Sequence, residues 1–153
     1  MQSIPDPEQY SPTCQFCKII QGQGVAQVVF EDSYTLAFLD ARPLFPGHTL
    51  VVPRWHIPTM ADLPDNLIEP LFKSARLLAQ AVEEAMQVEG SFMAMNNKVS
   101  QSVPHLHVHI VPRRKNDGLK GFFWPRRPYK DEQEMLEVQA AIRAQASRLQ
   151  AGK

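Results

Sequence analysis

Alternating histidines in the stretch Pro104–Arg113 constrain this chain more than any other feature of its sequence. Three of the five histidines alternate there with aliphatic residues, in the order His105, Leu106, His107, Val108, His109 and Ile110. A period of two is typical of a β-strand that buries its aliphatic face. Neighbouring imidazoles on a straight strand lie roughly 6.7 Å apart, so the pattern predicts a row of imidazoles on a rigid element.

Three interpretations of such a row are possible: a metal site, an ordinary polar face and a site of nucleophilic catalysis. Two histidines of the row can share one Zn²⁺ with a third ligand, but the outer two lie roughly 13 Å apart and cannot. A metal hydrolase built on the row also lacks a nearby carboxylate to orient its ligands. An ordinary polar face accounts for one or two alternating histidines better than for three. Nucleophilic catalysis suits imidazole, because its ordinary pKa of about 6.5 leaves most of it neutral at neutral pH.

At these residues the chain resembles the histidine triad (HIT) superfamily, whose motif is His-φ-His-φ-His-φ-φ with φ apolar. His105 to Val111 match the motif at every position, and Gln101–Val103 and Pro112–Arg113 extend the match. The run Pro46–Pro53 also resembles a family segment. The resemblance covers roughly residues 14–115. It implies an α+β domain with an antiparallel sheet of about five strands, one long central helix and a C-terminal helix, and it implies a homodimer.

The same resemblance implies an activity and assigns roles. Members hydrolyse a phosphoanhydride or phosphoramidate at the α-phosphorus of a nucleotide through a nucleotidyl-histidine. His107 matches the nucleophile, and the residues expected to handle charge and protons are His105, His109, Gln101 and Ser102. The branch that resembles galactose-1-phosphate uridylyltransferase has Gln at the third triad position, so His109 favours hydrolysis over transfer.

Substrate contacts follow from the same resemblance. Asp40 occupies the place of a ribose-binding carboxylate, although an Asp that caps a turn explains it equally well. Asn96, Gln101 and His109 are expected near the phosphates, and His48 is expected to support the triad. The loop 96–101 departs from the family pattern, because Ser100 stands where glycine is expected. Glycine lets backbone amides approach a phosphate closely, so the phosphate contacts of this loop are in question.

The only two cysteines form the motif Cys14-Gln15-Phe16-Cys17. In a reducing compartment a structural disulfide is disfavoured, which leaves redox chemistry, metal binding or coincidence. In HIT members that keep this motif, the resemblance implies a tetrahedral Zn²⁺ site completed here by His56 and His105, and no organic cofactor. A zinc-binding interaction protein without catalytic activity is therefore the rival hypothesis, and a nucleoside phosphoramidase of the Hint type is the alternative enzyme.

Hydrophobic periodicity divides the chain into a loose N-terminal arm (residues 1–13), the HIT-like region (14–115), a basic and aromatic loop (116–130) and a C-terminal helix (131–153) assigned to the same domain. Strands are predicted over Val25–Glu31, Tyr34–Asp40, His48–Pro53 and Ser91–Met95. A helix is predicted from about Asp65 to Met86, ending by Gly90. Pro70 is expected to delay the start of this helix.

Charge is balanced over the whole chain, with 16 basic and 16 acidic residues. This balance argues against general binding to nucleic acids or membrane surfaces, and the absence of an apolar targeting segment predicts a cytoplasmic protein. Between Arg113 and Lys130, however, seven basic residues face a single acid and alternate with aromatic residues. This segment either packs on the fold or selects dinucleoside polyphosphates. The C-terminal helix weakly resembles that of the Fhit (dinucleoside polyphosphate hydrolase) branch.

Overall fold

The computed structural model describes residues 9–119 and 126–152, which fall into two compact units that divide between Asp117 and Gly118. The first unit contains helices α1 (Gln15–Ile20) and α2 (Asp65–Met86) and strands β1 (Val28–Glu31), β2 (Thr35–Leu39), β3 (Thr49–Pro53), β4 (Gly90–Ala94) and β5 (Val108–Arg113). The strands form one antiparallel sheet in the order β1-β2-β3-β5-β4. The predicted fold class is confirmed. The predicted arm up to residue 8 and residues 120–125 of the basic and aromatic loop lie outside the described residues.

Helix α2 covers one face of the sheet with the apolar stripe that the sequence predicted. Its buried residues Leu67, Leu71, Ala75, Leu78 and Val82 pack against Ala37, Val51, Leu106, Val108 and Ile110. The helix ends at Met86 because Gln87 adopts a left-handed conformation with φ of 52°. The prediction that Gly90 ends the helix was therefore wrong, and Gly90 instead begins β4.

The expectation that Pro70 delays this helix was also wrong. The helix begins at Asp65, and Pro70 lies inside its second turn. Proline removes one backbone donor, which here would have served the carbonyl of Asn66. Asn66 lies in the exposed first turn, where water can take the place of that donor.

The opposite face of the sheet is covered by α1, a short helix that the hydrophobic pattern did not predict. Its residues Phe16 and Cys17 join Cys14 in a second core that contains Leu36 and Phe38 of β2 and Leu50 and Val52 of β3. Alternate residues of β2 and β3 therefore serve opposite cores, as the period of two requires. Asp40 follows β2 directly and His48 precedes β3 directly, so both lie at the same end of the sheet.

Strand β5 is shorter than the histidine stretch. It begins at Val108 because β3 pairs only with Val108, His109 and Ile110. The predicted single strand carrying all three histidines is therefore only partly correct: His105 and His107 precede the ladder. The aliphatic side of the pattern is confirmed, since Leu106, Val108 and Ile110 are fully buried against α2.

The second unit contains helix α3 (Glu132–Ala151). Asp131 caps it by accepting the backbone N–H of Glu134 at 2.8 Å, so the predicted start near Asp131 is confirmed. The apolar side chains of Met135, Ile142 and Leu149 in this helix are exposed. Among the described residues, the helices are all too short or too polar to span a bilayer.

Candidate active site and metal cluster

A cavity of about 520 Å³ opens between α1, the end of β2 and the histidine segment. Its apolar wall comes from Phe16, Ile19, Phe38 and Leu50, and its polar residues include Asp40, Ser102, His107 and His109. Apolar walls with a few convergent polar groups are typical of small-molecule sites, and this volume suits a nucleoside-sized ligand. The structure thus brings two of the three triad histidines together with the predicted ribose-binding carboxylate.

His107 is held in one tautomer by the backbone. Its Nδ1 lies 2.7 Å from the carbonyl oxygen of His105. A carbonyl oxygen can only accept, so Nδ1 carries the proton and Nε2 keeps a free lone pair. The residue is buried, and its ring makes a T-shaped contact with that of Phe16 at a centroid distance of 5.2 Å. A neutral imidazole with its lone pair fixed on one nitrogen is the form required of a nucleophile.

A hydrogen-bonded relay fixes the tautomer of His109 as well. The backbone N–H of Leu44 donates to Nδ1 of His48 at 3.1 Å, so the proton of His48 is on Nε2. That N–H donates in turn to Nδ1 of His109 at 2.9 Å, which leaves the proton of His109 on Nε2. His109 can therefore donate a hydrogen bond through Nε2. The predicted supporting position of His48 beside the triad is consistent with this contact.

Burial keeps these imidazoles neutral. Desolvation lowers the pKa of His109 to about 4, the neighbouring His107 and His48 lower it further, and the carboxylate of Asp40 partly opposes the shift. Desolvation also lowers the pKa of His48, again against the pull of Asp40. At neutral pH both rings are therefore uncharged, as the relay requires.

Asp40 both caps a turn and faces the cavity. One carboxylate oxygen accepts the backbone N–H of Arg42 at 2.8 Å, and the other lies 3.7 Å from Nε2 of His48. Asp40, His48 and His109 also bring their donor atoms within 4.8 Å of one another. Because Leu44 already occupies Nδ1 of His48, binding a metal through Nε2 would leave His48 without a place for its proton. The relay explains this group better than a second metal ion does.

The loop before the triad contributes Ser102 and Val103 to the cavity. Ser102 is exposed and lines it, whereas Gln101 and Asn96 are not among the described lining residues. The amide of Gln101 donates to the carbonyl of Pro58 at 2.6 Å and accepts from the backbone of Lys98 at 2.8 Å. Asn96 donates to the carbonyl of Ser100 at 3.2 Å, which closes the loop on itself.

Ser100 has a φ of +58°, a left-handed conformation that glycine adopts easily and serine does not. The backbone at this position therefore has the geometry expected of the family's glycine, although its residue differs. A non-glycine residue in this region costs roughly 1–2 kcal/mol, and the bonds made by Asn96 and Gln101 hold the loop against that cost.

The first triad histidine lies in a different site. Nδ1 of His105 is 3.6 Å from the sulfurs of both Cys14 and Cys17, and Nδ1 of His56 is 3.3 Å from Cys17. All four donor atoms lie within 4.8 Å of one another. Two cysteines and two histidines are a common donor set for a structural, tetrahedral Zn²⁺. These four residues, the ones that the resemblance implied, could hold a metal ion.

The tautomer of His105 suits a metal ligand. Its Nε2 lies 2.9 Å from the carbonyl oxygen of Pro53, so Nε2 carries the proton and the lone pair of Nδ1 faces the sulfurs. Burial raises the pKa of Cys17 to about 11, partly opposed by the backbone N–H of Ser11, and burial lowers the pKa of His105 to about 4. Cation binding must therefore release a proton from the thiol of Cys17, whereas the ring of His105 is already neutral.

Two parts of the site are not predicted from the sequence. Phe16 separates the cysteines of the motif, and in the structure its ring contacts His107, His105 and Phe38. A helix of six residues gives little periodic signal, but the cysteine spacing itself could have suggested a helical turn. The hydrogen bond from the backbone N–H of Leu44 to His48 could not be predicted from the sequence, because the position of a main-chain donor depends only on the path of the loop.

Fold and site together define a class of protein: an α+β domain with a nucleoside-sized cavity beside backbone-oriented imidazoles. A family model described as "HIT domain" matches residues 21–116. "Protein hit" from Bacillus subtilis is 37% identical over 139 residues, which are 89% of this chain and 94% of the relative. The chain belongs to the HIT family.

Two relatives have names that state an activity. "Bis(5'-nucleosyl)-tetraphosphatase [asymmetrical]" from Schizosaccharomyces pombe is 36% identical over 60% of this chain, and the match covers 52% of that relative. "Adenylylsulfatase HINT3" from Arabidopsis thaliana is 33% identical over 69% of this chain and 55% of the relative. The relatives of this chain therefore include proteins named as hydrolases of nucleotides.

Solved structures agree with the fold. A protein from Streptococcus mutans superposes with a TM-score of 0.81 at 30% identity and covers 95% of this chain and 93% of its own. A Zn-bound histidine triad family protein from Mycobacterium smegmatis superposes with a TM-score of 0.67 at 32% identity, covering 92% of this chain and 98% of its own.

Proposed function

We propose that this protein is a nucleotide hydrolase that cleaves a phosphoanhydride or phosphoramidate bond at the α-phosphorus through a covalent nucleotidyl-histidine. One observation carries the proposal: backbone groups fix the tautomers of His107 and His109, so that one offers a lone pair and the other a proton. The two rings have a centroid distance of 4.8 Å, so both can reach one phosphate. The relatives named as a tetraphosphatase and an adenylylsulfatase support the same bond type.

The substrate's nucleoside fits the cavity in one orientation. Phe16, Ile19 and Phe38 offer an apolar slot for the base, and the carboxylate of Asp40 can accept from the ribose hydroxyls. The α-phosphate then lies over His107 and His109. The predicted phosphate contacts of Asn96 and Gln101 would require the loop 96–101 to rearrange, because their amides already have partners within the protein.

The reaction has two steps. Nε2 of His107 attacks the α-phosphorus, a P–N bond forms, and the bond to the leaving group breaks. His109 stabilises charge on the phosphate oxygens through its Nε2–H, and Ser102 is placed to donate to the leaving oxygen. Water then cleaves the P–N bond, which returns His107 and releases a nucleoside monophosphate.

His105 takes part through its backbone carbonyl, which accepts from Nδ1 of His107 and disperses the positive charge that develops when the ring becomes a phosphoramidate. Its side chain belongs to the metal cluster. We infer that the ion held there is Zn²⁺, because the donor set is Cys₂His₂ and the second nitrogen of His105 is oriented by a backbone carbonyl. When bound, the ion supplies structural cross-linking of α1 to the histidine segment.

Within the family, we favour the dinucleoside polyphosphate branch over the phosphoramidase branch. Support comes from the basic residues after β5, of which Arg126 and Arg127 are described and exposed. Arginine binds phosphate oxygens in a bidentate fork, and a longer polyphosphate offers more of them.

Trapping the intermediate tests the activity. The protein would be mixed with diadenosine tetraphosphate, diadenosine triphosphate, adenylyl sulfate or an adenosine phosphoramidate, labelled at the α-phosphate, and quenched rapidly. We expect an acid-labile label on His107 and release of AMP. His107→Ala should lower kcat/KM by at least about 10³-fold with an unchanged melting temperature. An equally active variant, or turnover without a covalent label, would refute the proposed chemistry. A stable protein inactive on the whole panel would favour the non-enzymatic zinc-binding alternative.

We also infer a homodimer whose interface includes β4. The two protomers would pair there either sheet to sheet or helix to helix. This strand lies at the edge of the described sheet, and Phe72 of α2 and Met93 of β4 are about 40 % exposed and line one shallow apolar depression. Exposed apolar side chains of this kind favour association. Light scattering of the wild type and of Phe72→Asp tests this inference: a monomeric wild type would refute it.

A further inference from the structure

His105 belongs to two sites at once. Its imidazole faces the sulfurs of Cys14 and Cys17 through Nδ1 and donates to Pro53 through Nε2. Its backbone carbonyl, in the same residue, accepts the proton that fixes the tautomer of His107. The residue is fully buried, so neither group can exchange its partner for water without movement of the chain.

Phe16 makes a second connection between the two sites. It stands between the two cysteines, in helix α1, and its ring meets His107 edge to face with an interplanar angle of 87°. The same ring lies 5.3 Å from Phe38, which lines the substrate cavity. A helix of six residues is too short to be stable alone, so the anchoring of Cys14 and Cys17 fixes the wall against which His107 rests.

An incomplete cluster would release both restraints. Without a cation, only the hydrogen bond from Nε2 to the carbonyl of Pro53 and the long contacts of Nδ1 with the two sulfurs hold the ring of His105, so the ring can shift. Movement of His105 displaces the carbonyl that holds Nδ1 of His107. His107 can then place its proton on Nε2, where the lone pair needed for attack on phosphorus is lost.

We propose that the cluster of Cys14, Cys17, His56 and His105 controls the reactivity of the active site, with His105 as the positioning residue that transmits its occupancy to His107. The proposal rests on the proposed function, since it names what regulates that same site. Coupling between two sites is reciprocal. A nucleotide that binds more tightly to the Zn²⁺-loaded protein, because His107 is already ordered there, must therefore raise the affinity of the cluster for Zn²⁺ by the factor by which Zn²⁺ raises the affinity for that nucleotide; kcat is outside this reciprocity.

His56 offers the cleanest perturbation, because it is a cluster residue that does not line the substrate cavity. His56→Ala removes one donor. His56→Cys keeps four donors as Cys₃His, a set that also binds structural zinc. Leu78→Ala is the matched control: Leu78 is buried in the core beneath α2, on the face of the sheet opposite the cluster, so the variant loses stability without touching either site.

Three measurements are made on each variant and on the wild type. Steady-state kinetics are expected to give a kcat at least about tenfold lower for His56→Ala, with a smaller change in KM, and restoration in His56→Cys. Nitrogen-15 spectra of the His107 ring should show a single Nδ1–H tautomer in the wild type and a mixture in His56→Ala. Leu78→Ala should keep the wild-type kcat and the wild-type spectrum in its folded fraction. Competition with a chelator should show Zn²⁺ binding at least about fivefold tighter when AMP is saturating.

The proposal is overturned if His56→Ala keeps the wild-type kcat and one tautomer, or if AMP leaves the Zn²⁺ affinity unchanged. Should His56→Ala fail to fold, the same spectra recorded while a chelator removes Zn²⁺ from the wild type decide the question. A wild type that hydrolyses no substrate would refute the proposed function alone, because the tautomer spectra and the Zn²⁺ affinity need no turnover.

Discussion

Acid should destabilise this protein through His109, and the size of the effect can be worked from its surroundings. Burial beside His48 and His107 lowers the pKa of His109 to about 4, whereas an unfolded chain has the ordinary value of about 6.5. Between these two values the unfolded state binds a proton that the folded state does not. Stability is therefore full above about pH 6.5, falls as the pH drops toward 4, and levels off below that.

The magnitude follows from the two pKa values. Lowering the pH from about 7 to about 4.5 costs at most about 2.4 kcal/mol from this single group. His109 is partly exposed, so solvent screening reduces the expected cost to about 1 kcal/mol. The structural reason is the relay: a proton added to Nδ1 of His109 would face the Nε2–H of His48, only 2.9 Å away.

Urea unfolding of the wild type and of His109→Gln at both pH values measures this contribution. Glutamine can still accept from His48 but cannot take up a proton. Other acid-sensitive groups, including the metal cluster, are present in both proteins and cancel in the difference. We expect the variant to lose about 1 kcal/mol less than the wild type between the two pH values. Identical losses would mean that the folded protein tolerates a charged His109, and the tautomer argument would fail with it.

Three further predictions concern substrate and metal. Asp40→Asn should raise KM for adenosine nucleotides about tenfold and leave KM unchanged for a 2′,3′-dideoxy analogue, because the carboxylate is assigned to the ribose hydroxyls; equal effects on both would contradict that assignment. Purified protein should contain one Zn²⁺ per chain, and free Zn²⁺ at about 1,000 times its Kd should stabilise the fold by about 4 kcal/mol in a calorimetric melt, an effect that Cys17→Ser should abolish. Replacing Arg126, Arg127 and Trp124 by Ala, the last of which lies outside the described residues, should lower kcat/KM for diadenosine tetraphosphate about tenfold and spare an adenosine phosphoramidate; matched losses would assign the segment to the fold.

The sequence predicted most of what is periodic in this fold. The alternating aliphatic residues placed one face of the histidine segment in the core, and the three- and four-residue spacing set the bounds of α2. Two predictions from residue type were wrong. Pro70 lies inside α2 and does not delay its start, and Gln87, not a glycine, ends that helix. At Pro70, exposure to water compensates for the missing backbone donor. At Gln87, the fold tolerates the strain of a left-handed backbone that glycine would adopt more easily.

The candidate site was predictable in its residues, and the family resemblance also implied that His105 joins the cysteines, but the spacing of the histidines alone did not reveal this separation. Spacing put the three histidines in a row, whereas the structure gives His105 to the cysteines and His107 and His109 to the cavity. That separation depends on where β3 stops pairing with β5, which pattern alone does not reveal. Hydrogen bonds to backbone groups, such as that from Leu44, fix the tautomers and have no signature in side-chain identity.

The alternation along the histidine segment has a consequence for how this chain can change over time. Leu106, Val108 and Ile110 fill one core while the intervening histidines serve the cavity and the cluster. Insertion or deletion of one residue near Leu106 would shift every side chain beyond it to the opposite face of the sheet. Imidazoles would then enter an apolar core, and aliphatic groups would enter the cavity. A point substitution in this segment alters either the core or the site, whereas a change in its length disrupts folding and chemistry together.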